Sequence, residues 1–212
     1  NLARNWATIP HVTNFDHADI SALEAFRKQA NAEQRDGSAR LTLLPFILKA
    51  AALALQRYPA FNSTVDGNES IVRSYRHIGF AVDTPEGLVV PVVRDADKKG
   101  LLDIARESDE LVRLARAGKL GPDRMQGGCF TVSNLSSAGG SGFTPIINAP
   151  EVAILGVARS EIRPVWDGVQ FQPRLVLPLC LSWDHRALDG VAAARFLGFL
   201  AGMLSDFRRA VL

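Results

Sequence analysis

One histidine occupies a position suited to acid–base chemistry. The apolar run 175–181 predicts a buried strand, and the sequence SWDHRALDG follows it at residues 182–190. A neutral imidazole can accept a proton from a thiol or a hydroxyl near pH 7. His185 is therefore the candidate general base, and Asp189, on the same short turn, is the candidate that fixes its surroundings.

Both residues also have simpler interpretations. His185 could be a hydrogen-bonded core residue at the end of a strand. Asp189 could cap a helix that starts at Gly190, a role that aspartate fills well. Capping is compatible with a role beside the base, so the residues alone leave these alternatives open.

A second candidate, Ser133, lies where another expected strand breaks into a loop of small residues. A hydroxyl there could donate a hydrogen bond to a developing oxyanion, or it could belong to an ordinary turn. The combination of serine, histidine and aspartate also suggests a hydrolase. Ser133 is flanked by Val132 and Asn134, however, and not by the glycines of a G-x-S-x-G elbow.

The histidines do not form a recognisable metal-binding pattern. The chain has four of them, and no second histidine lies at a useful spacing from His185 and its neighbouring carboxylates. We therefore expect no metal. We assign no role to His11, and we expect His17 and His77 at the surface or in hairpins. The glycine-rich loop 139–142 matches neither nucleotide-binding fingerprint.

Composition limits the class of protein. The 212 residues are 47% hydrophobic and 22% charged, with a net charge of +2, which is typical of one globular domain spanning residues 1–212. Scattered basic residues predict no nucleic-acid partner, and the absence of an apolar run near 18 residues predicts no membrane span. Cys129 and Cys180 are expected to be buried thiols in a reducing compartment, which favours the cytoplasm. The start at Asn1, without a visible signal peptide, is expected of a fragment, a processed form or the ordered part of a longer protein.

Hydrophobic periodicity predicts interleaved strands and helices without a regular βαβ repeat. The expected strands cover 11–15, 78–82, 88–93, 129–133, 152–157 and 175–181, with a hairpin partner for the last at 165–171. The expected helices cover 19–34, 45–58, 101–117 and 191–207, and Asp36-Gly37 ends the first of them. This order predicts an α/β sandwich, a mixed sheet covered by helices on one side.

Three blocks of sequence, in this order, resemble one family. His185-Arg186-Ala187-Leu188-Asp189-Gly190 matches the H-R-x-x-D-G motif of the dihydrolipoyl acyltransferases, the core subunits of 2-oxo acid dehydrogenase complexes. Chloramphenicol acetyltransferase shares a looser H-x-x-x-D-G form. Blocks 77–92 and 143–156 resemble the family's central hairpin and its loop and strand, so the match covers essentially the whole chain.

The resemblance implies thioester exchange. His185 would deprotonate the thiol of coenzyme A, or of dihydrolipoamide in reverse, and the thiolate would attack a thioester carbonyl. Ser133, within Thr131-Val132-Ser133-Asn134-Leu135, would donate to the tetrahedral oxyanion. Asp189 would hold the turn. Coenzyme A is then a substrate, and the lipoyl group is carried on a separate domain.

The resemblance also implies residues that bind substrate. Arg27 matches a position that contacts a phosphate of coenzyme A, although a solvated helix arginine remains the alternative. Phe143 and Leu155 match positions that line the active-site channel. Trp183 stands where the family usually has tyrosine, which removes a hydroxyl.

Assembly follows from the same resemblance. It implies a chloramphenicol acetyltransferase-like sandwich that is an obligate trimer, with His185 and Ser133 contributed by different chains. Trimers of this family build cages of 24 or 60 chains, which hold decarboxylase and dihydrolipoyl dehydrogenase subunits. The lipoyl and peripheral-subunit-binding domains through which those partners attach are expected to be absent, and the N-terminal arm is expected to be shortened or absent. The expected location is the cytoplasm, or the mitochondrial matrix in a eukaryote.

The acyl group is predicted from the loop that leads into block 143–156 and from the first half of that block. Gly140-Ser141-Gly142-Phe143-Thr144-Pro145-Ile146 and the small Ala149 are most similar to the pyruvate-type, acetyl-transferring members that connect glycolysis to acetyl-coenzyme A. Three alternatives stay open: an acyltransferase of another 2-oxo acid complex, a transferase of the chloramphenicol type acting on a small alcohol, and a catalytically inactive core that only assembles partners.

Overall fold

The computed structural model describes residues 2–33, 40–67 and 69–211. The helices are α1 (Leu2–Thr8), α2 (Ser21–Glu33), α3 (Leu43–Arg57), α4 (Leu101–Arg116) and α5 (Gly190–Ser205). The strands are β1 (His11–Asp19), β2 (Ser63–Asp66), β3 (Glu69–Val72), β4 (Ile78–Phe80), β5 (Val82–Thr84), β6 (Gly87–Val89), β7 (Val92–Val93), β8 (Phe130–Asn134), β9 (Ala153–Val157), β10 (Glu161–Trp166) and β11 (Phe171–Asp184). Three short 3₁₀ helices lie at Pro59–Phe61, Pro122–Arg124 and Phe207–Val211.

A mixed sheet of seven strands forms the centre of the molecule. Its order is β1-β11-β9-β8-β4-β7, and β10 forms a hairpin with β11. The three strands β4, β8 and β9 run parallel to one another, and the other pairs are antiparallel. The hairpins β2–β3 and β5–β6 form two small separate sheets.

Helices pack on one face of the sheet, as the sequence predicted. The alternating side chains Leu177, Leu179, Leu181 and Trp183 of β11 join α3 and α5 in one apolar core. α3 is buried nearly all round because its sequence is apolar on every face. α4 buries Ile104, Ala105, Ser108, Leu111 and Ala115 on a single stripe, which is the spacing of an amphipathic helix.

The sequence located most elements, with one clear error in the β10–β11 hairpin. Residues 165–171 were expected to be a strand, but β10 ends at Trp166 and β11 starts at Phe171. Asp167 explains the turn, because its Oδ1 accepts from the backbone N–H groups of Val169 and Gln170 at 2.9 Å each. Gly168 supplies a φ of 102° there. The helix α1 and the β2–β3 hairpin were not predicted, and the expected end of α2 at Gln34 and Asp36-Gly37 lies outside the described residues.

The histidines and cysteines are placed by local contacts. His77 was expected at the surface or in a hairpin, but the structure shows it half-buried. The Nδ1 atom of His77 accepts a hydrogen bond from the backbone N–H of Asp95 at 2.9 Å, and burial lowers the pKa of the imidazole. His11 links two segments, because Nε2 accepts from the backbone N–H of Ile147 at 3.0 Å. Both cysteines are buried and free, as predicted, and burial raises the pKa of the Cys129 thiol to about 11.

Two features of the described residues bear on the class of protein. None of the helices there is both long enough and apolar enough to cross a membrane. The same residues contain no group of three or more His, Cys, Asp or Glu side chains that could hold a metal ion.

Candidate active site

His185 lies directly after the last residue of β11. Its backbone N–H donates to the carbonyl of Pro10 at 3.1 Å, which holds it beside the segment before β1. Its ring packs against Trp183 with 4.8 Å between ring centroids, and the residue is exposed. The Trp183 indole is itself fixed, because its Nε1–H donates to Asn14 Oδ1 at 2.9 Å. Trp183 therefore finds a polar partner of its own within β1.

A buried carboxylate makes the turn after β11 rigid. Asp184 is 1% exposed and accepts from the Arg186 guanidinium, at 2.6 Å from Nη2 and 2.9 Å from Nε. The same carboxylate accepts from the backbone N–H of Arg186 at 3.0 Å, and this pairing raises the pKa of Arg186. In the sequence Asp184 was only one of the carboxylates beside His185, and this anchor was not predicted. An aspartate two residues before an arginine at a strand end was the available signal.

Asp189 caps α5. Its Oδ1 accepts from the backbone N–H of Ala192 at 2.8 Å, and its φ of −119° and ψ of 165° are those of an N-cap. The capping alternative is therefore confirmed. The turn is thus fixed at both ends, by Asp184 before His185 and by Asp189 after it.

Removing the cap tests this assignment. Asp189→Ala should lower the free energy of unfolding by about 1 kcal/mol, because one N–H group in the first turn of α5 loses its acceptor. Asp189→Asn keeps a capping oxygen and should cost much less. Chemical denaturation of the two variants beside the parent chain measures both values, and equal stability of the alanine and asparagine variants would contradict the cap.

Ser133 lies on the face of the sheet opposite the main helical layer. Its hydroxyl borders a cavity of about 220 Å³ whose wall is mostly apolar. Thr131 and Asn148 are its other polar neighbours in that wall, and the remaining lining residues are Leu2, Ala81, Leu88, Val90, Phe143, Pro145, Ile146 and Ile154. A hydroxyl in an apolar cavity of this size can donate to a developing negative charge with little competition from water.

The structure separates the two residues that were expected to line a channel. Phe143 lies in the cavity wall with the end of its ring over Gly156, where a Cβ would stand 2.8 Å from Cζ of the ring. Leu155, in contrast, is 0% exposed and belongs to the apolar core on the helical side of the sheet. Neighbouring residues on a strand point to opposite faces. Ile154 therefore lines the cavity in place of Leu155, which corrects that expectation.

Ser133 and His185 lie far apart in one chain. Ser133 pairs with Gly156 and Gly156 with Cys180, so Ser133 is two strands from β11. His185 follows Cys180 by five residues. With about 4.8 Å between strands and about 3.4 Å per residue, the two Cα atoms are about 19 Å apart. A base and an oxyanion donor that serve one reacting group must each lie within about 3 Å of it, so one chain does not bring them together.

Arg27 is engaged within its own chain. Its Nε and Nη2 donate to Glu24 at 2.8 and 2.7 Å, and its Nη1 donates to the Leu41 carbonyl at 2.9 Å. The Glu24 carboxylate raises the pKa of Arg27, and Arg27 in turn lowers that of Glu24. Arg27 thus ties α2 to the segment before α3, and an anion bound there would meet a guanidinium already partly neutralised.

A larger cavity adjoins the first and was not predicted. It has about 610 Å³, and it shares Leu2, Leu88, Val90 and Asn148 with the smaller one. Its wall reaches Asp184 and Arg186 at the base of the turn after β11 and also includes the buried carboxyl of Glu151. No sequence pattern indicated it, because its wall combines α1, the β5–β6 hairpin and the loop before β9.

Comparisons with known proteins agree on one family. A model of the 2-oxoacid dehydrogenases acyltransferase (catalytic domain) family matches residues 1–212. The dihydrolipoyllysine-residue acetyltransferase component of the pyruvate dehydrogenase complex from Cupriavidus necator is 58% identical over 100% of this chain and 38% of that protein. The corresponding protein from Azotobacter vinelandii is 54% identical over 100% of this chain and 34% of its own length. The chain spans little more than a third of these relatives.

Solved structures show the same fold. The cubic core of a pyruvate dehydrogenase multienzyme complex has a TM-score of 0.97 at 54% identity, covering 100% of this chain and 88% of that one. A dihydrolipoamide acetyltransferase from A. vinelandii, studied for the roles of a serine, a histidine and an asparagine in catalysis, has a TM-score of 0.98 at 53% identity with the same coverage. Chloramphenicol acetyltransferase, at 14% identity, has a TM-score of 0.62 over 98% of this chain and 94% of its own, which shows the fold alone. The predicted sandwich is confirmed.

Proposed function

Because this chain belongs to the family of 2-oxo acid dehydrogenase acyltransferase catalytic domains, we propose that it transfers an acetyl group between coenzyme A and dihydrolipoamide. It would do so in the core of a pyruvate dehydrogenase complex. The lipoyl group would arrive on a separate domain, and coenzyme A would be the second substrate. The bacterial relatives favour the cytoplasm as the place of action.

One observation carries the proposal. In the A. vinelandii enzyme the serine and the histidine whose catalytic roles were studied are 52 positions apart, and the asparagine follows the histidine by four. Ser133, His185 and Asp189 have the same two spacings. The third residue is aspartate here, and its side chain caps α5 through an oxygen that asparagine also carries.

These residues account for the chemistry of thioester exchange. His185 takes the proton of the attacking thiol, and the resulting thiolate adds to the carbonyl carbon of the thioester. Ser133 donates its hydroxyl hydrogen to the tetrahedral oxyanion. The intermediate then expels the other sulfur, which recovers the proton from the His185 imidazolium. No bond to the enzyme forms, so Ser133 acts as a donor and not as a nucleophile.

The site would be completed by a second chain. A separation of about 19 Å between Ser133 and His185 within one chain supports a site shared by neighbouring subunits. A closed trimer provides three such sites, each with His185 of one subunit and Ser133 of the next. We propose that trimers of this kind build a cage of 24 or 60 chains. The decarboxylase and dihydrolipoyl dehydrogenase would attach to it through domains outside this chain.

A direct assay tests the function. The assembled chain, given acetyl-coenzyme A and dihydrolipoamide, should form acetyl-dihydrolipoamide and free coenzyme A, measured by chromatographic separation of the two thioesters. Succinyl- and branched-chain acyl-coenzyme A should react more slowly, and chloramphenicol should not be acetylated. Faster transfer of another acyl group would assign the chain to a different 2-oxo acid complex. A correctly assembled chain that transfers nothing would favour an inactive structural core.

Arg27 gives a prediction about coenzyme A binding. Arg27→Ala should raise the KM for coenzyme A by about tenfold, because a charge-assisted hydrogen bond to phosphate is worth about 1.5–3 kcal/mol. It should also lower the free energy of unfolding by about 1 kcal/mol through loss of the bond to Leu41. Lys28→Ala, next to it on α2 and more exposed, is the matched control. A fall in stability with an unchanged KM would assign Arg27 a purely structural role.

A further inference from the structure

A buried polar cluster joins the loop before β9 to β8. Glu151 is 3% exposed, and its Oε1 accepts from Thr131 Oγ1 at 2.9 Å and from Asn148 Nδ2 at 3.3 Å. The carboxyl also packs on the backbone, since a Cβ on Gly128 would stand 3.1 Å from its Oε1. Among the described residues, its Oε2 is buried without a hydrogen-bond partner. A buried carboxyl with one satisfied oxygen needs an explanation.

Both partners of Glu151 belong to the wall of the Ser133 cavity. Thr131 lies two residues before Ser133 on the same face of β8 and lines the same cavity. Asn148 lines that cavity from the opposite loop, which also supplies Phe143. The Glu151 carboxyl therefore sets the distance between the strand that carries the oxyanion donor and the loop that closes the cavity.

We infer that Glu151 is a positioning residue, which holds the Asn148 loop against β8 so that the cavity keeps its shape around Ser133. It acts through Thr131 and Asn148 and does not touch the reacting atoms. The inference rests on the proposed function, because the cavity is taken to hold the group that is transferred.

The surroundings of the carboxyl favour its neutral form. Burial raises the pKa of Glu151 to about 8, against the opposing effects of the bonds from Thr131 and Asn148 and of the charge of Arg73. The thiol of Cys129 lies close enough for its pKa to be affected by Glu151. The charged residues of the adjoining cavity wall are Arg4, Asp184 and Arg186.

The raised pKa has a definite sign for stability. Between its ordinary pKa of 4.5 and about 8, Glu151 keeps its proton in the folded chain and loses it on unfolding. The unfolded state then binds fewer protons, so stability falls as the pH rises through this window and levels off above it. An anionic carboxylate with an unpaired oxygen in this place should loosen the loop.

The experiment compares Glu151→Gln with the parent chain and with Glu110→Gln, which neutralises an exposed carboxylate on α4. Glutamine keeps an oxygen for Thr131 and Asn148 and cannot ionise. The ratio of kcat/KM for Glu151→Gln to that for the parent should be near one at pH 6.5. This ratio should rise to about ten at pH 9, because about nine-tenths of the Glu151 carboxyl in the parent chain, with its pKa of about 8, is then ionised. Glu151→Ala should lose activity at every pH, and its rescue by glutamine separates positioning from charge.

A second measurement does not depend on activity. Amide hydrogen exchange in the loop 143–149 should accelerate in the parent chain between pH 7 and pH 9 relative to Glu151→Gln, after correction for the intrinsic pH dependence of exchange. A flat activity ratio together with equal exchange in the two proteins would overturn the inference. A parent chain without transferase activity would instead count against the proposed function, and the exchange data would still decide whether Glu151 holds the loop.

Discussion

Replacing His185 with alanine should lower the rate of acetyl transfer by about 10²–10⁴-fold, the usual contribution of a positioned general acid–base group. The loss should appear in kcat, because the thiol still binds but is no longer deprotonated. The fold should survive, since the hydrogen bond that holds this position is made by the backbone N–H of His185 to Pro10 and not by its ring. Steady-state kinetics with acetyl-coenzyme A and dihydrolipoamide measure the effect.

The controls for this variant concern fold and pH. His17→Ala removes another exposed histidine from the same sheet, on β1, and should leave the rate unchanged. Raising the pH should partly rescue His185→Ala, because the thiol substrate then ionises without help. Transfer that persists at the parent rate in His185→Ala would rule out the general-base assignment, whatever the state of assembly.

Replacing Ser133 with alanine should lower kcat by about 10²–10³-fold, the range for loss of one oxyanion donor. The KM should change little, because the donor acts on charge that develops only in the transition state. The backbone pairing of Ser133 with Gly156 remains, so β8 keeps its register. Ser137→Ala, in the exposed part of the following loop, is the matched control.

A mixture of the two variants tests whether the site is shared. Each His185→Ala chain keeps Ser133, and each Ser133→Ala chain keeps His185. After joint refolding of equal amounts, a random trimer with sites at its interfaces should have about one quarter of its sites intact, because each site draws one residue from each of two chains. Recovery of about one quarter of the parent activity is the expected result. An unchanged low rate in verified mixed trimers would place both residues in one chain's site and contradict the shared arrangement.

Local sequence signals predicted much of the fold because short-range chemistry controls those elements. The cap at Asp189, the apolar run of β11 and the amphipathic stripe of α4 each depend on residues that are close together in the sequence. The β10–β11 hairpin was misplaced by a few residues, since both sides of its turn are apolar and the decisive bonds come from Asp167. In the β2–β3 hairpin, strand β3 is exposed along its whole length and shows little hydrophobic periodicity, so no sequence pattern predicted the hairpin.

The sequence by itself determined the chemistry available to this protein: a histidine and an aspartate on one stiff turn, a serine at the end of a strand, and the spacings that connect them to a family. Only the tertiary structure decided how far apart these groups lie and which side chains face the cavity. Ser133 and His185 are about 19 Å apart because β9 stands between their strands and His185 lies five residues beyond the position on β11 that is level with Ser133, a fact of long-range pairing that no local pattern encodes. For the same reason Ile154, and not Leu155, faces the cavity, and Glu151, ordinary in sequence, becomes a buried carboxyl beneath it.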